Sequence, residues 1–576
     1  MNRIDKQKKT PFFGVCFIIC SAFFGCLYFF GGIHYAVNDD IAMREIASGV
    51  RSGMFDGHLV YIKYPLGWFI SKLYSLASKN VDWYGVVLLS ALLISASLIT
   101  YCINYNVKDK WLEACFHLLN MLVIMRHIFF FQWTICAMYC GMAGVIYYFS
   151  ITYDDKYHRL IQKVIAMCML WLCYLIRDKV FFIVVAISVL LVLYKEFIIC
   201  KKAKTALLHS LVLGLVLVLG AGGIEIVHGY AYSSADWQAY DEFNKARSLL
   251  YDFYKLPDYE ENQAFYLQEN ISVNTYNNLK KYSLLYDPEI DTELITEIVN
   301  YSKNSMVDSG SNLKRAMINF KDLLFSKSYF WTKCIMLLMC FVFLFLVYKY
   351  KKWRLGILGG CQLIIWLAIM FYIVYGGRYP DHIIYTMAIV FIIQYEALCL
   401  QILNTETSIL MNKKYFIQGI AAIAAAGCVV MFDDLNVRSQ QTDAMNYSRN
   451  QIKDYMTNNS ENLYMLPVLT FAKYTDRFEI VHSEYNGKQL TTGGWLSRSP
   501  LIEQRMKSMG VMRNPQDFVN NDNIYILNWD GTSMEYILQS IEETCQSVLE
   551  CTVADVIETT EGRMNVYSLY TQEYLK

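Results

Sequence analysis

Residues 12–33 read FFGVCFIICSAFFGCLYFFGGI, and residues 34–40 continue HYAVNDD. A run of this length without a charge is enough to cross a hydrocarbon layer of about 30 Å as a helix. It is also too long, and too poor in small-x-small cleavage patterns, to be a signal peptide. The acidic pair Asp39-Asp40 falls where this helix leaves the membrane. Ten further apolar runs follow, at 83–103, 112–131, 133–151, 161–176, 180–199, 206–228, 329–348, 355–375, 383–402 and 415–432. The fold class expected is a polytopic α-helical membrane protein with about 11 transmembrane helices.

Composition points the same way. Of 576 residues 55% are hydrophobic and 18% charged, against about 25% charged in soluble domains, and the mean hydropathy is +0.26. Lys+Arg and Asp+Glu both number 51. That balance excludes a generally basic nucleic-acid binder, and 15% aromatic residues exclude disorder. Most of the 17 cysteines lie in apolar runs and read as packing groups, Cys136 and Cys140 included. Cys545 and Cys551 sit in a polar region, where a disulfide and two free thiols are both open.

Lys and Arg concentrate on cytoplasmic loops. With the N-terminus inside, the inner segments carry 19 basic residues and the outer short loops 9. The C-terminus then lies outside. The stretch 66–79 puts Leu66, Phe69, Ile70 and Leu73 on one helical face and Lys72, Ser75 and Lys79 on the other. It reads as an interfacial helix too short to cross. Residues 1–432 are therefore expected to form the membrane module, with an outer loop at 34–82 and an outer helical insertion at 229–328. Helical patterning marks 236–254 and 289–303. Residues 433–576 are expected as an extracytoplasmic C-terminal α/β domain, with strands at 462–468, 478–482, 524–529, 552–557 and 564–570 and helices at 500–509 and 533–543.

Carboxylates at a membrane boundary are costly unless solvated, paired or functional. Asp39 and Asp40 precede a helical pattern (Ile41 to Ile46), so helix capping is one explanation. Asp39-Asp40-x-x-Met43-x-x-x-Ala47-x-Gly49, followed by Lys63-Tyr64-Pro65-Leu66-Gly67, offers another. It resembles the first outer loop of GT-C glycosyltransferases, which take sugar from a polyprenyl-phosphate carrier, such as protein O-mannosyltransferases and the lipid A aminoarabinose transferase. There an Asp-Glu pair follows the first span, and a Lys- or His-Pro-Pro-Leu stretch opens an interfacial helix. The resemblance covers residues 10–105 in detail and the span order beyond.

The resemblance implies an inverting, metal-independent glycosyltransferase of the plasma membrane that needs no cofactor. Its donor would be a polyprenyl-phosphate sugar and its acceptor a glycan, lipid or protein of the cell envelope. Asp39 would be the base and Asp40 its substitute, with Lys63 on the donor phosphate. Many family members carry another acid in the next outer loop; Phe131-Gln132-Trp133-Thr134 offers none. By position, Arg378 and His382 suit the carrier phosphate. His58, Arg126, Arg177, Asp178, Lys179 and Glu225 are secondary candidates, with structural explanations available for each: a shaped loop, a helix-end cation, a turn salt bridge or a buried pair. Trp495, after Gly493-Gly494, would suit the border of a sugar site.

Two other classes stand beside this reading. A transporter or flippase of lipid-linked saccharide would favour paired repeats and broken mid-membrane helices, whereas here proline is scarce within the spans. A non-catalytic membrane scaffold would keep Asp39 as a cap and Lys63 as an anchor.

Overall fold

The computed structural model describes residues 12–305, 309–405, 414–482, 485, 487–512 and 515–574. The basic segment 3–9 and Lys413, both used in the charge count, lie outside the described residues. In chain order the helices of the membrane module are α1 Phe13–Gly31, α2 Asn38–Ala47, α3 Tyr64–Leu76, α4 Trp83–Asn106, α5 Lys110–Phe129, α6 Trp133–Ser150, α7 Lys156–Ile176, α8 Asp178–Cys200 and α9 Ala203–Ala231. The insertion holds α10 Ala235–Ser248, α11 Gln263–Gln268, α12 Val273–Lys280, α13 Thr292–Ser305 and α14 Ser309–Phe325. Then come α15 Phe330–Tyr350, α16 Trp353–Tyr375, α17 Asp381–Thr405 and α18 Lys414–Asn458.

Among the described residues, ten helices are long and apolar enough to cross a membrane. The protein thus has the character of a polytopic helical membrane protein. Of the eleven runs expected, the one not among them is 133–151, which forms α6. Every residue of α6 is buried, so its environment is protein rather than lipid, and Tyr, Thr and Gly are tolerated there. A Cβ at Gly144 would sit 2.9 Å from the Ala166 carbonyl oxygen; small residues let two helix backbones approach this closely. α6 still carries the chain across the bundle, because Trp133 at its start and Arg177 after α7 line the same cavity.

α3 falls on the stretch expected to form a short amphipathic helix. It buries Leu66, Ile70 and Tyr74 against its neighbours and leaves Trp68, Phe69 and Leu76 exposed. Thirteen residues rise only about 20 Å. A parallel two-residue pairing of β1 (His34–Tyr35) with β2 (Phe130–Phe131) ties the exit of α1 to the junction of α5 and α6.

The C-terminal residues build a mixed five-stranded sheet of order β4-β3-β5-β7-β6. Its strands are β3 Leu463–Leu466, β4 Lys488–Thr491, β5 Ile524–Trp529, β6 Leu549–Thr559 and β7 Gly562–Thr571. Alternation along β3 explains its double burial. Leu463 and Met465 join the core that runs down into the helical bundle, while Tyr464 and Leu466 pack with Ile452 and Met456 of α18. α18 has 45 residues, about 67 Å of helix, and runs straight through the 432/433 boundary drawn from hydropathy. The last apolar run ends near Phe432, but the helix does not.

One expected strand is absent. Phe478–His482 instead docks on the first loop, with Phe478 N–H donating to Ile33 O at 2.7 Å, Asp82 N–H to Ile480 O at 3.0 Å and His482 N–H to Asn80 O at 3.0 Å. Its alternating pattern is real, but its partner is the membrane module rather than the sheet. Cys545 and Cys551 are both free thiols.

The insertion meets the C-terminal region through backbone bonds. Leu284 and Leu285 N–H both donate to Thr492 O, at 2.9 and 3.0 Å. A Cβ at Gly493 would lie 1.5 Å from Tyr282 O, a clash with backbone that no side-chain rotation relieves. Gly493→Ala should therefore loosen this seam at a cost of about 1–3 kcal/mol, as overpacking does. Thermal unfolding in detergent would show the loss, with faster proteolysis within 229–328.

Candidate active site

The first turn of α2 presents the acidic pair. Its N-cap is Val37 and no side chain makes a cap hydrogen bond; Asp39 and Asp40 lie in the first turn, where the helix dipole favours acids. The two point to different surroundings. Asp40 is fully buried; its Oδ1 accepts from the Tyr84 hydroxyl at 2.7 Å and the Trp133 N–H at 3.3 Å. Its Oδ2 has no partner among the described residues. Burial, reinforced by the charge of Asp39, pushes its carboxyl well above the usual range. Burial of this kind disfavours the charged form of the group.

Asp39 lines a cavity of about 560 Å³. The Trp495 indole N–H donates to its Oδ1 at 2.9 Å. Burial raises its carboxyl above the ordinary value, and the Trp495 bond and the guanidinium groups of Arg247, Arg177 and Arg378 pull it partly back.

The cations Arg177, Lys179, Arg247 and Arg378 line the cavity, with the His382 imidazole beside them. The Arg177 guanidinium lies 5.4 Å from the Tyr61 ring centre and 5.6 Å from that of Trp133. Burial lowers its pKa despite Asp178, Tyr61 and Asp39 nearby, the signature of a cation short of counter-charge. The insertion lines this part of the cavity. After α10 the chain makes a π-helical turn, Leu249–Phe253, a distortion often found at functional sites. Asp252 on this turn pairs with Arg378 and accepts from the Ser248 hydroxyl at 2.7 Å.

α2 is held from below by a buried ion network. Asp476 pairs with Arg44, Arg449 and Lys453, and Glu45 with Arg51 at 2.7 Å and Arg449 at 3.6 Å. Arg44 also reaches Asp82 at 3.6 Å. Three cations hold the Asp476 carboxyl well below its ordinary value against the cost of burial. C-terminal residues thereby fix the rotation of the helix that carries Asp39.

The structure brings together Asp39, Arg177, Lys179, Arg378 and His382 from the sequence-derived set, and separates the others. Lys63 is outside the cavity: its ammonium contacts Glu225 at 2.7 Å and Asp178 at 3.1 Å. In this structure Lys63 thus joins α3, α8 and α9 through two carboxylates and does not line the cavity in which a donor phosphate was expected. Asp178 and Glu225 belong to that junction, not to the cavity. His58 is bonded to Asp56 at 2.7 Å and Ala231 O at 3.1 Å and stacks on Trp237; it shapes the loop. Arg126 packs over the Tyr385 ring at 4.6 Å in an adjoining groove that shares His382 with the cavity.

Sequence reasoning missed Arg247, Asp252 and Tyr61. Arg247 was legible, since Tyr240, Phe243 and Arg247 share one helical face and all three are buried. A charge in an apolar stripe needs a partner or a purpose. Among known proteins, no family model, no curated protein and no solved structure matches this chain.

Proposed function

We propose that the protein is an integral membrane glycosyltransferase that moves a sugar from a polyprenyl-phosphate donor to an acceptor of the cell envelope. The observation that carries this reading is the cavity itself, lined by Arg177, Lys179, Arg247 and Arg378 and by two carboxylates, Asp252, which Arg378 engages, and Asp39, which the Trp495 indole holds. Asp39 takes the proton of the acceptor hydroxyl as its oxygen attacks the anomeric carbon. The bond from that carbon to the phosphate oxygen breaks, and the sugar inverts. Negative charge then grows on the departing phosphate, where Arg177, Lys179 and Arg378 neutralise it. The protein's own guanidinium and ammonium groups supply this charge. The Trp495 indole orients Asp39 and offers a flat face to a sugar ring.

The cavity lies at the end of the bundle shared by the exits of α1 and α7 and the start of α17, where a carrier with its tail in the bilayer presents its headgroup. In the orientation that the basic residues favour, this is the extracytoplasmic face. An impermeant thiol reagent should then label Val548→Cys, at an exposed position, in intact cells; protection would reverse the topology.

The test of function is transfer from a defined polyprenyl-phosphate sugar by protein reconstituted in lipid, alongside the masses of envelope glycans with and without the protein. Arg177→Gln should raise the donor KM at least about tenfold, the value of a lost charge-assisted bond, and leave the acceptor KM nearly unchanged. Equal effects on both substrates would count against the phosphate assignment.

A further inference from the structure

A second constellation of chemistry-bearing groups lies at the far end of α8 from the cavity. α8 begins beside Arg177 and ends at Cys200, and its 23 residues put about 34 Å between those ends. Lys201, in the left-handed conformation (φ 56°), turns the chain into α9. That turn faces Cys200 and Glu196 of α8 towards His209 of α9.

The three donor atoms form a compact triangle. Cys200 Sγ lies 3.3 Å from His209 Nδ1, His209 Nδ1 lies 3.2 Å from Glu196 Oε2, and Cys200 Sγ lies 3.8 Å from the same oxygen. A tetrahedral zinc ion has bonds of about 2.3 Å to sulfur and about 2.0–2.2 Å to nitrogen and oxygen, which puts its ligands about 3.3–3.7 Å apart. The observed edges lie within about 0.1 Å of that range.

The Glu196 carboxylate divides its two oxygens between different tasks. The residue is fully buried. Its Oε1 accepts from the Tyr148 hydroxyl and pairs with Lys163 at 2.9 Å. Those partners fix the plane of the group and leave Oε2 turned to the thiol and the imidazole. Hydrogen-bonded outer partners that orient a ligand are a regular part of metal sites. His209 is half exposed, about two turns from the start of α9, which leaves a fourth position open to a small ligand.

We propose that Glu196, Cys200 and His209 bind a divalent zinc ion, with water as the fourth ligand, and that the ion pins the turn between α8 and α9. Thiolate, imidazole and carboxylate together suit zinc over the harder cations. Binding releases the Cys200 thiol proton to bulk water, and the His209 ring carries its remaining proton on Nε2 so that the Nδ1 lone pair faces the metal. The site is separate from the sugar-transfer cavity and does not depend on that reading.

The test uses the full-length protein in detergent, stripped with chelator and re-equilibrated with Zn²⁺ or Co²⁺ alone. About one equivalent of zinc per chain is expected after dialysis, and Co²⁺ should show the sulfur-to-metal charge-transfer band and intense visible bands of a tetrahedral thiolate site. Cys200→Ser and His209→Gln should each abolish the charge-transfer band or reduce bound zinc at least tenfold, while Cys26→Ser, in α1, should leave both unchanged. Tyr148→Phe keeps all three donors and should weaken zinc about 10–100-fold, so it reports on the site even where a ligand variant folds poorly. Wild-type protein that retains no zinc, or zinc binding indifferent to all three site variants, overturns the proposal.

Discussion

Asp39→Asn is expected to abolish the proposed sugar transfer, by about 10²–10⁴-fold in kcat, and Asp40→Asn to leave most of it. The two acids are neighbours in sequence but differ in what they touch. Asp39 faces the cavity, and its loss removes the group proposed to take the acceptor's proton. Asp40 is buried away from the cavity, and its Oδ1 accepts from Tyr84 and Trp133. An asparagine carbonyl makes the same two bonds and keeps the shape. The pH profile adds an independent check. Asp39 works as the carboxylate, and burial raises its pKa. Activity should therefore fall, as pH is lowered, at a value above the ordinary carboxylate pKa of about 4. The measurements are single-turnover transfer across pH for the wild type and both variants. Equal losses in the two variants, or an acid limb below the ordinary carboxylate value, would remove Asp39 from its role.

The second large effect is on stability. Asp476→Ala leaves Arg44, Arg449 and Lys453 facing one another in a buried site with only Glu45 and Asp82 nearby. Removing one partner of a buried ionic cluster typically costs about 3–5 kcal/mol. Asp476→Asn keeps the volume but not the charge and should recover little of it. The sign of the pH dependence follows from the depressed pKa. The stabilisation is complete above the unfolded-state value of about 3.9 and is lost as pH falls towards the lower folded-state value. Thermal unfolding in detergent at neutral and acidic pH measures both. Activity should fall too, because Arg44 and Glu45 lie on the helix that carries Asp39; a variant as stable as the wild type would show that the network is not what holds α2.

Hydropathy read the helical bundle well because lipid imposes a simple demand: a helix that faces it must be apolar along its length. α6 shows where that rule stops, since a helix enclosed by others answers to packing and not to lipid. Alternation located β5, β6 and β7, and helical spacing located α10, α13 and the helices Pro500–Ser508 and Glu535–Cys545. The short strand β4 went unread, and the segment 478–482 was given the wrong partner. Period-two patterning shows that a strand-like segment pairs, without showing with what.

The sequence by itself determined the membrane character, the position of the acidic pair at a helix exit and the cluster of cationic turns that follow later spans. These are properties of local composition and spacing. Only the tertiary structure decided which acid meets the cavity, that Lys63 is neutralised by Asp178 and Glu225, and that Arg247 and Trp495 complete the site from segments more than two hundred residues away. The reason is that a charge's role depends on the charges packed around it, and those neighbours are set by the fold rather than by distance along the chain.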